Sequence, residues 1–409
     1  MRWESLGFRE NPFSTDPISQ GTLSLYTGHA QEIKRFKHVL HEKNVLAVIE
    51  GARGVGTTSF ANYLRFSAQA EHLYFTPRNE IRVEAHWNAE TLLSAIIANV
   101  VREIELYHDD LFQDKRFQEA KTLSQHISEA YRAFGVSAFG FGVHYGKSAG
   151  VSSQPVIVPS NVLGHHLEDL TALICAAGYR YGLLIQLNNL DVPEVHSEEH
   201  LKYLFNMMRD YFQTDGISWL LVGDVGLRQF IMQDVDRLDD IVSYEEVIGP
   251  VSQSEYNELI QRRLGFYQIS AKAELPMDAA VFDYLYDLTK GRLRYIFGLL
   301  KRLTNSLFVG DLTDRVTLEI AKPAIRELAM KRIQTSSVSK AEEQVLRALV
   351  KLESATPMDL VKATDKTSQN ISNVLSRLLE LKLVTLSSQS RTRIYGPALD
   401  AIVAYQDVK

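Results

Sequence analysis

Two kinds of hydrophobic pattern alternate along the first half of the chain. Val45 to Ile49, Tyr181 to Leu187 and Ser218 to Val222 are short, mostly apolar runs that read as buried strands. The segments 31–41, 59–69, 88–107, 113–133 and 198–213 instead repeat their apolar residues every three to four positions and read as helices. Strands separated by helices predict an α/β fold, a parallel sheet with helices on both faces. Residues 1–30, with Asn11-Pro12-Phe13, Asp16-Pro17 and Gly28, read as an extended arm ending in turns. Around 134–160 the pattern breaks. Residues 136–145 alternate with glycines and predict a hairpin, and 146–160 predict a loop. Helical periodicity then fills 253–264, 276–289, 292–308 and 315–331. The expected organisation is an α/β domain over 1–250, a helical domain over 251–333 and a third domain over 334–409.

That third segment has its own signature. Lys340 to Leu352 places Val345, Leu346, Leu349 and Leu352 on one face. Pro357 opens a short second helix at a favoured first-turn position. Thr367 or Ser368 caps a third, which buries Ile371, Val374, Leu375, Leu378 and Leu379. Strands over 384–386 and 392–395 follow, joined by Ser387 to Arg391. Three helices and a hairpin predict a winged helix. The outer face of the third helix carries Gln369, Asn370, Asn373 and Arg377, short hydrogen-bonding groups of the kind that read a major groove. Arg391 and Arg393 in the wing are placed to hold phosphates. Winged helices also dock proteins, so a protein partner is the alternative occupant of this face.

Composition narrows the class. At one domain per ~150 residues, 409 residues suggest two or three domains. The single Cys175 excludes an internal disulfide and a cysteine-based zinc site, and the histidines show no metal-ligand spacing. Arg2, Glu4, Arg9, Glu10 and Asp16 interrupt any signal-peptide hydrophobic region, and the longest mostly apolar stretch, Leu92 to Val101, is about half a bilayer span. A cytoplasmic protein without a membrane partner is expected. The net charge of −6 is unevenly spread. Residues 331–409 hold 12 of the 44 Lys+Arg and 8 of the 50 Asp+Glu, which leaves 32 and 42 for the rest. An acidic body with a basic tail segment points to nucleic acid as the partner of that segment.

The strongest motif is Gly51-Ala52-Arg53-Gly54-Val55-Gly56-Thr57-Thr58, which follows the first strand and opens a helix. It fits G-x-x-x-x-G-K-[ST] except that Thr57 takes the lysine position. In such a loop the glycines let backbone N–H groups wrap phosphates at a helix N-terminus. The lysine adds a charge-assisted contact, and the hydroxyl, here of Thr58, ligates Mg²⁺. The partner strand normally ends in an Asp that holds the metal and a Glu that polarises water. Here Asn188 and Asn189 occupy those positions. Neutral amides neither attract a divalent cation nor take a proton. Without a ligand, the same residues read as a strand-to-helix turn and a strand exit.

Around this loop the chain resembles the AAA+ ATPases, in particular the initiator-like clade of origin-recognition ATPases. Asn11-Pro12-Phe13 with Tyr26-Thr27-Gly28-His29 and Glu32 resembles the clade's adenine-pocket segment, with His29 where an Arg is usual. Gly223-Asp224 resembles sensor 1 and Gly291-Arg292-Leu293-Arg294 resembles sensor 2, with Arg294 as the phosphate-sensing residue. Arg237 is the candidate arginine finger. The resemblance implies a P-loop sheet, a helical lid and a winged helix. It also implies an ATP or ADP site at Gly51, Gly54, Gly56, Thr57, Thr58 and Arg294, and assembly with itself or a partner. With Thr57, Asn188 and Asn189 as they stand, the expectation is weak nucleotide binding, little use for Mg²⁺ and hydrolysis that is absent or very weak. The protein would then act as a scaffold or nucleotide-responsive switch on duplex DNA. A working ATPase with unorthodox motifs and a protein-docking adaptor are the competing readings.

Overall fold

The three apolar strands are buried on both sides, and their side chains alternate between two cores. In β1 (Leu46–Glu50), Leu46 and Val48 face one core while Ala47 and Ile49 face the other. In β4 (Ile217–Gly223), Trp219 and Leu221 oppose Leu220 and Val222 in the same way. A sheet that buries both faces must be covered on both, which is why no polar alternation is visible in these strands.

The computed structural model describes residues 3–133, 158–191, 197–275, 277–308, 315–389 and 392–405. The expected hairpin and nearly all of the loop over 134–160, as well as Arg391, lie outside them. In the α/β part the elements run α1 (Ala30–Val39), β1, α2 (Thr57–Ala70), β2 (Ile81–Arg82), α3 (Ala89–Tyr107), α4 (Lys115–Ala133) and α5 (Ser160–Ala176). They continue with β3 (Leu183–Asn188), α6 (Glu198–Phe212), β4, α7 (Leu227–Asp234), α8 (Asp236–Asp239) and β5 (Tyr244–Val247). The sheet order is β2-β3-β4-β1-β5, and every pairing is parallel. Helices α3, α5 and α6 pack on one face through Leu93, Ile96, Leu170 and Leu204. On the other face α1 and α2 pack through Phe36, Phe60 and Leu64.

Two strands carry no apolar run. β2 is two residues long, and β5 reads Tyr-Glu-Glu-Val at the sheet edge. Its acids are satisfied from outside the sheet: Glu246 takes Arg35 at 2.9 Å and Glu245 takes Arg228.

Four helices follow: α9 (Gln253–Tyr267), α10 (Ala279–Thr289), α11 (Leu293–Phe308) and α12 (Leu318–Thr335). The chain ends in α13 (Lys340–Leu352), α14 (Pro357–Thr364), α15 (Ser368–Glu380), the antiparallel hairpin β6 (Val384–Gln389) and β7 (Thr392–Pro397), and α16 (Leu399–Tyr405). Three helices, a hairpin and one more helix thus occupy the segment in which a winged helix is expected. Capping boxes at Ser339/Glu342 and Thr356/Asp359 fix the starts of α13 and α14, and Thr367 caps α15. The winged helix and the four helices share one apolar core, in which Leu285, Ile296 and Ile325 join Val345, Leu378 and Leu399.

Candidate functional site

The loop after β1 is shaped by its glycines. A Cβ on Gly51 would lie 2.5 Å from the Ile248 carbonyl oxygen, closer than atoms approach, so only glycine fits there. Gly54 (φ +93°) and Gly56 (φ +111°) take backbone conformations that side chains rarely adopt. Gly56 is the N-cap of α2 and has no side chain to offer, so the first N–H groups of the helix keep their need for an acceptor. They open on a cleft of about 930 Å³ lined by the whole loop. This is the anion-receptive end of the helix dipole.

Asn188, the last residue of β3, stands against the start of α2. Its Nδ2 donates to Thr58 Oγ1 at 3.4 Å, and its Oδ1 accepts from Gln186 Nε2 at 2.9 Å. Asn189 behaves differently. It turns into the left-handed region (φ +69°) and donates to the Val83 carbonyl oxygen at 2.9 Å. Leu190 then follows β4, and Asp191 Oδ1 accepts from the Asp224 N–H at 2.8 Å. Asp191 and Asp224 thus meet at the ends of β3 and β4, on the wall of the cleft. Glu50, buried at the end of β1, accepts from the N–H groups of Gly226 and Arg228 and so fixes the start of α7.

The opposite wall belongs to α11. Arg294 donates its backbone N–H to the Gly54 carbonyl oxygen at 3.1 Å, and its exposed side chain lines the cleft. Arg237 is exposed on α8 and is not among the lining residues; its carbonyl accepts from Arg209.

The N-terminal arm closes the third side. Phe13 is fully buried, with Trp3, Phe282 and Phe297 rings around it. Arg263 lies over Phe297 at 4.3 Å and donates to the carbonyl oxygens of Pro12 and Ser14, both at 3.0 Å. Burial lowers the Arg263 pKa. Tyr26 stacks on Tyr63 of α2, and its hydroxyl meets His29 Nδ1 at 3.1 Å. His29 reaches the Gly249 carbonyl oxygen through Nε2, and its N–H donates to Glu255. Burial works against the Glu255 carboxylate, but hydrogen bonds from Ser252 and His29 outweigh it and hold its pKa below the usual value.

The face of α15 proposed to meet DNA is exposed at Gln369, Asn370, Asn373 and Arg377. Gln369 donates to Asn373 at 3.4 Å and Arg377 pairs with Glu380 at 3.0 Å. Arg393 is exposed on β7. These residues stand apart from the phosphate loop. Arg263, Asp400, Arg302 and Arg332, all lining the cleft, carry no local sequence signal. Glu255 did carry one, as the last residue of the box Ser252-x-x-Glu255. Among the described residues no cluster of His, Cys, Asp and Glu suits a metal, and no helix is long and apolar enough to cross a membrane.

No protein-family profile matches the chain, and no curated protein matches it significantly. Solved structures do. The Walker-type ATPase PABY2304 of Pyrococcus abyssi is 13% identical, with 97% of this chain and 100% of that chain covered and a TM-score of 0.50. The ORC1 protein of Aeropyrum pernix, solved in complex with DNA, is 17% identical over 94% of each chain (TM-score 0.47). The ORC2 protein of the same organism, in ADPNP–ADP complexes, is 13% identical over 97% of each (TM-score 0.46). At such identities likeness speaks for the fold alone. Sheet order, phosphate loop and the helices after β5 define a P-loop AAA+ fold. In the same chain that fold is followed by three helices, an antiparallel hairpin and a last helix.

Proposed function

We propose that this protein is a DNA-associated AAA+-fold scaffold or switch that binds ATP or ADP weakly, with hydrolysis absent or very weak. The three-part division at residues 1–250, 251–333 and 334–409 is part of this reading. The observation that carries it is the amide pair at the metal position. Gln186 and Asn188 form a neutral hydrogen-bonded unit that ends on Thr58, where a metal-binding carboxylate would be needed. Backbone N–H groups of Gly51 to Thr58 hold the phosphates, with Arg294 adding charge from the far wall. Thr58 is the one residue of the usual Mg²⁺ set retained. Duplex DNA lies along α15, with Gln369, Asn370, Asn373 and Arg377 in the groove and Arg391 and Arg393 on the backbone. Assembly with a second copy, through Arg237, or with a partner protein raises the affinity by effective concentration.

Two assays on the full chain test this. Turnover on the order of 1 s⁻¹ by the purified protein would refute the non-hydrolysing reading, because one lost transition-state donor commonly costs ~10²–10³ in rate and here three groups differ. The Asn188→Asp/Asn189→Glu double variant run alongside should gain Mg²⁺-dependent binding. Failure to shift duplex DNA at low salt, with or without ATP, would leave the winged helix as a protein-docking surface.

A further inference from the structure

Helix α11 touches both ends of the cleft. Its first turn holds the Gly54 carbonyl oxygen through the Arg294 N–H. Eight residues later, about 12 Å along the axis, it presents Arg302 to the winged helix. Arg302 Nη1 lies 2.5 Å from Asp400 Oδ1, and Arg332 Nη1 of α12 takes Oδ2 at 3.0 Å. Asp400 is the second residue of α16 and is 5% exposed. All three side chains line the same cleft as the phosphate loop. A further ion pair from this helical segment to the winged helix among the described residues, Lys290 to Glu353 at 2.6 Å, is exposed on both sides and largely screened. A buried carboxylate held by two guanidiniums is directional in a way that the surrounding apolar contacts are not, since each oxygen has its own partner on a different helix.

We propose that Asp400 is a clamp that fixes the winged helix to α11 and α12, so that occupancy of the phosphate loop is passed along α11 to the DNA-facing α15. This rests on the nucleotide-binding reading above. A phosphate held by the loop N–H groups contacts the peptide units whose Gly54 carbonyl anchors α11. A displacement of α11 that draws the Gly54 carbonyl with it therefore changes the ligand's contacts, which is the requirement for a ligand to shift an equilibrium. The shift reaches α15 only while the winged helix moves with α11; the shared apolar core joins the two, and Asp400 fixes their orientation at the cleft.

The test uses distances in the full-length protein. Cys175, the lone cysteine, is exposed on α5 and takes one spin label; Met358→Cys, exposed on α14, takes the second. The reference protein should give one narrow distance distribution that moves when ATP is added. Asp400→Asn should broaden it at least twofold and lose the ATP-dependent movement, whereas Lys290→Gln should leave both unchanged. A narrow distribution and full movement in Asp400→Asn would overturn the clamp. If that variant does not fold, Arg332→Gln, which removes one half-exposed arm, is read by the same two criteria. ATP titration calorimetry of the reference protein separates the two ideas. Absent heat counts against the nucleotide reading, and the width in Asp400→Asn then decides the clamp alone, broadening supporting it and an unchanged width overturning it.

Discussion

Replacing Thr57 by Lys restores the one charge the phosphate loop lacks. Thr57 is the first residue of α2 and half-buried, beside Gly51. A lysine there adds a charge-assisted contact of roughly 1.5–3 kcal/mol to a bound phosphate, or about 10- to 150-fold in affinity. The opposing term is the positive charge at a helix N-terminus, about 0.3–1 kcal/mol. That cost falls on the free protein and is relieved when an anion arrives, so it appears as a slightly lower melting temperature of the unliganded variant and does not subtract from affinity. Calorimetry with ATP, run in Mg²⁺ and again in a chelator, should show tighter binding in both. An affinity within twofold of the reference protein, in a variant whose circular dichroism is unchanged, would refute the view that this loop holds phosphate at all.

Three further outcomes are expected. Arg393→Ala should weaken duplex binding equally for all sequences and lower the slope of log affinity against log salt by about 0.9, read by fluorescence anisotropy at several salt concentrations. Phe13→Ala should destabilise the packing of the arm on α9–α11 by about 3–5 kcal/mol, because a fully buried ring is lost, and hydrogen exchange in those helices should rise accordingly. Glu255 has its pKa lowered in the fold, so its contribution is complete above the free carboxylate value of about 4.3 and is lost as pH falls through the folded value; melting curves of Glu255→Gln should therefore depend less on acid than those of the reference protein.

The sequence carried the parts of this fold that local chemistry decides. The apolar strands at 46–50, 183–188 and 217–223, the glycine loop and the capped helices of the winged helix all announce themselves within ten residues. β5 does not, because its two glutamates are satisfied by Arg35 and Arg228, distant in sequence. Asn188 and Asn189 look equivalent as letters. Only the left-handed turn at Asn189 separates the one that faces Thr58 from the one that faces Val83. Asp400 likewise carries no local signal, and its burial between two arginines is set by how α16 returns to α11 and α12.

The apolar core shared by α9–α12 and the winged helix has a practical meaning for grafting. A cut between Thr335 and Ser339 would strand Leu285, Ile296 and Ile325 without the Val345, Leu378 and Leu399 that complete their core. A transplant of DNA specificity between chains of this fold should therefore move residues 250–405 as one cassette. On the proposed function, the helices that recognise DNA would then travel together with those that couple them to the phosphate loop.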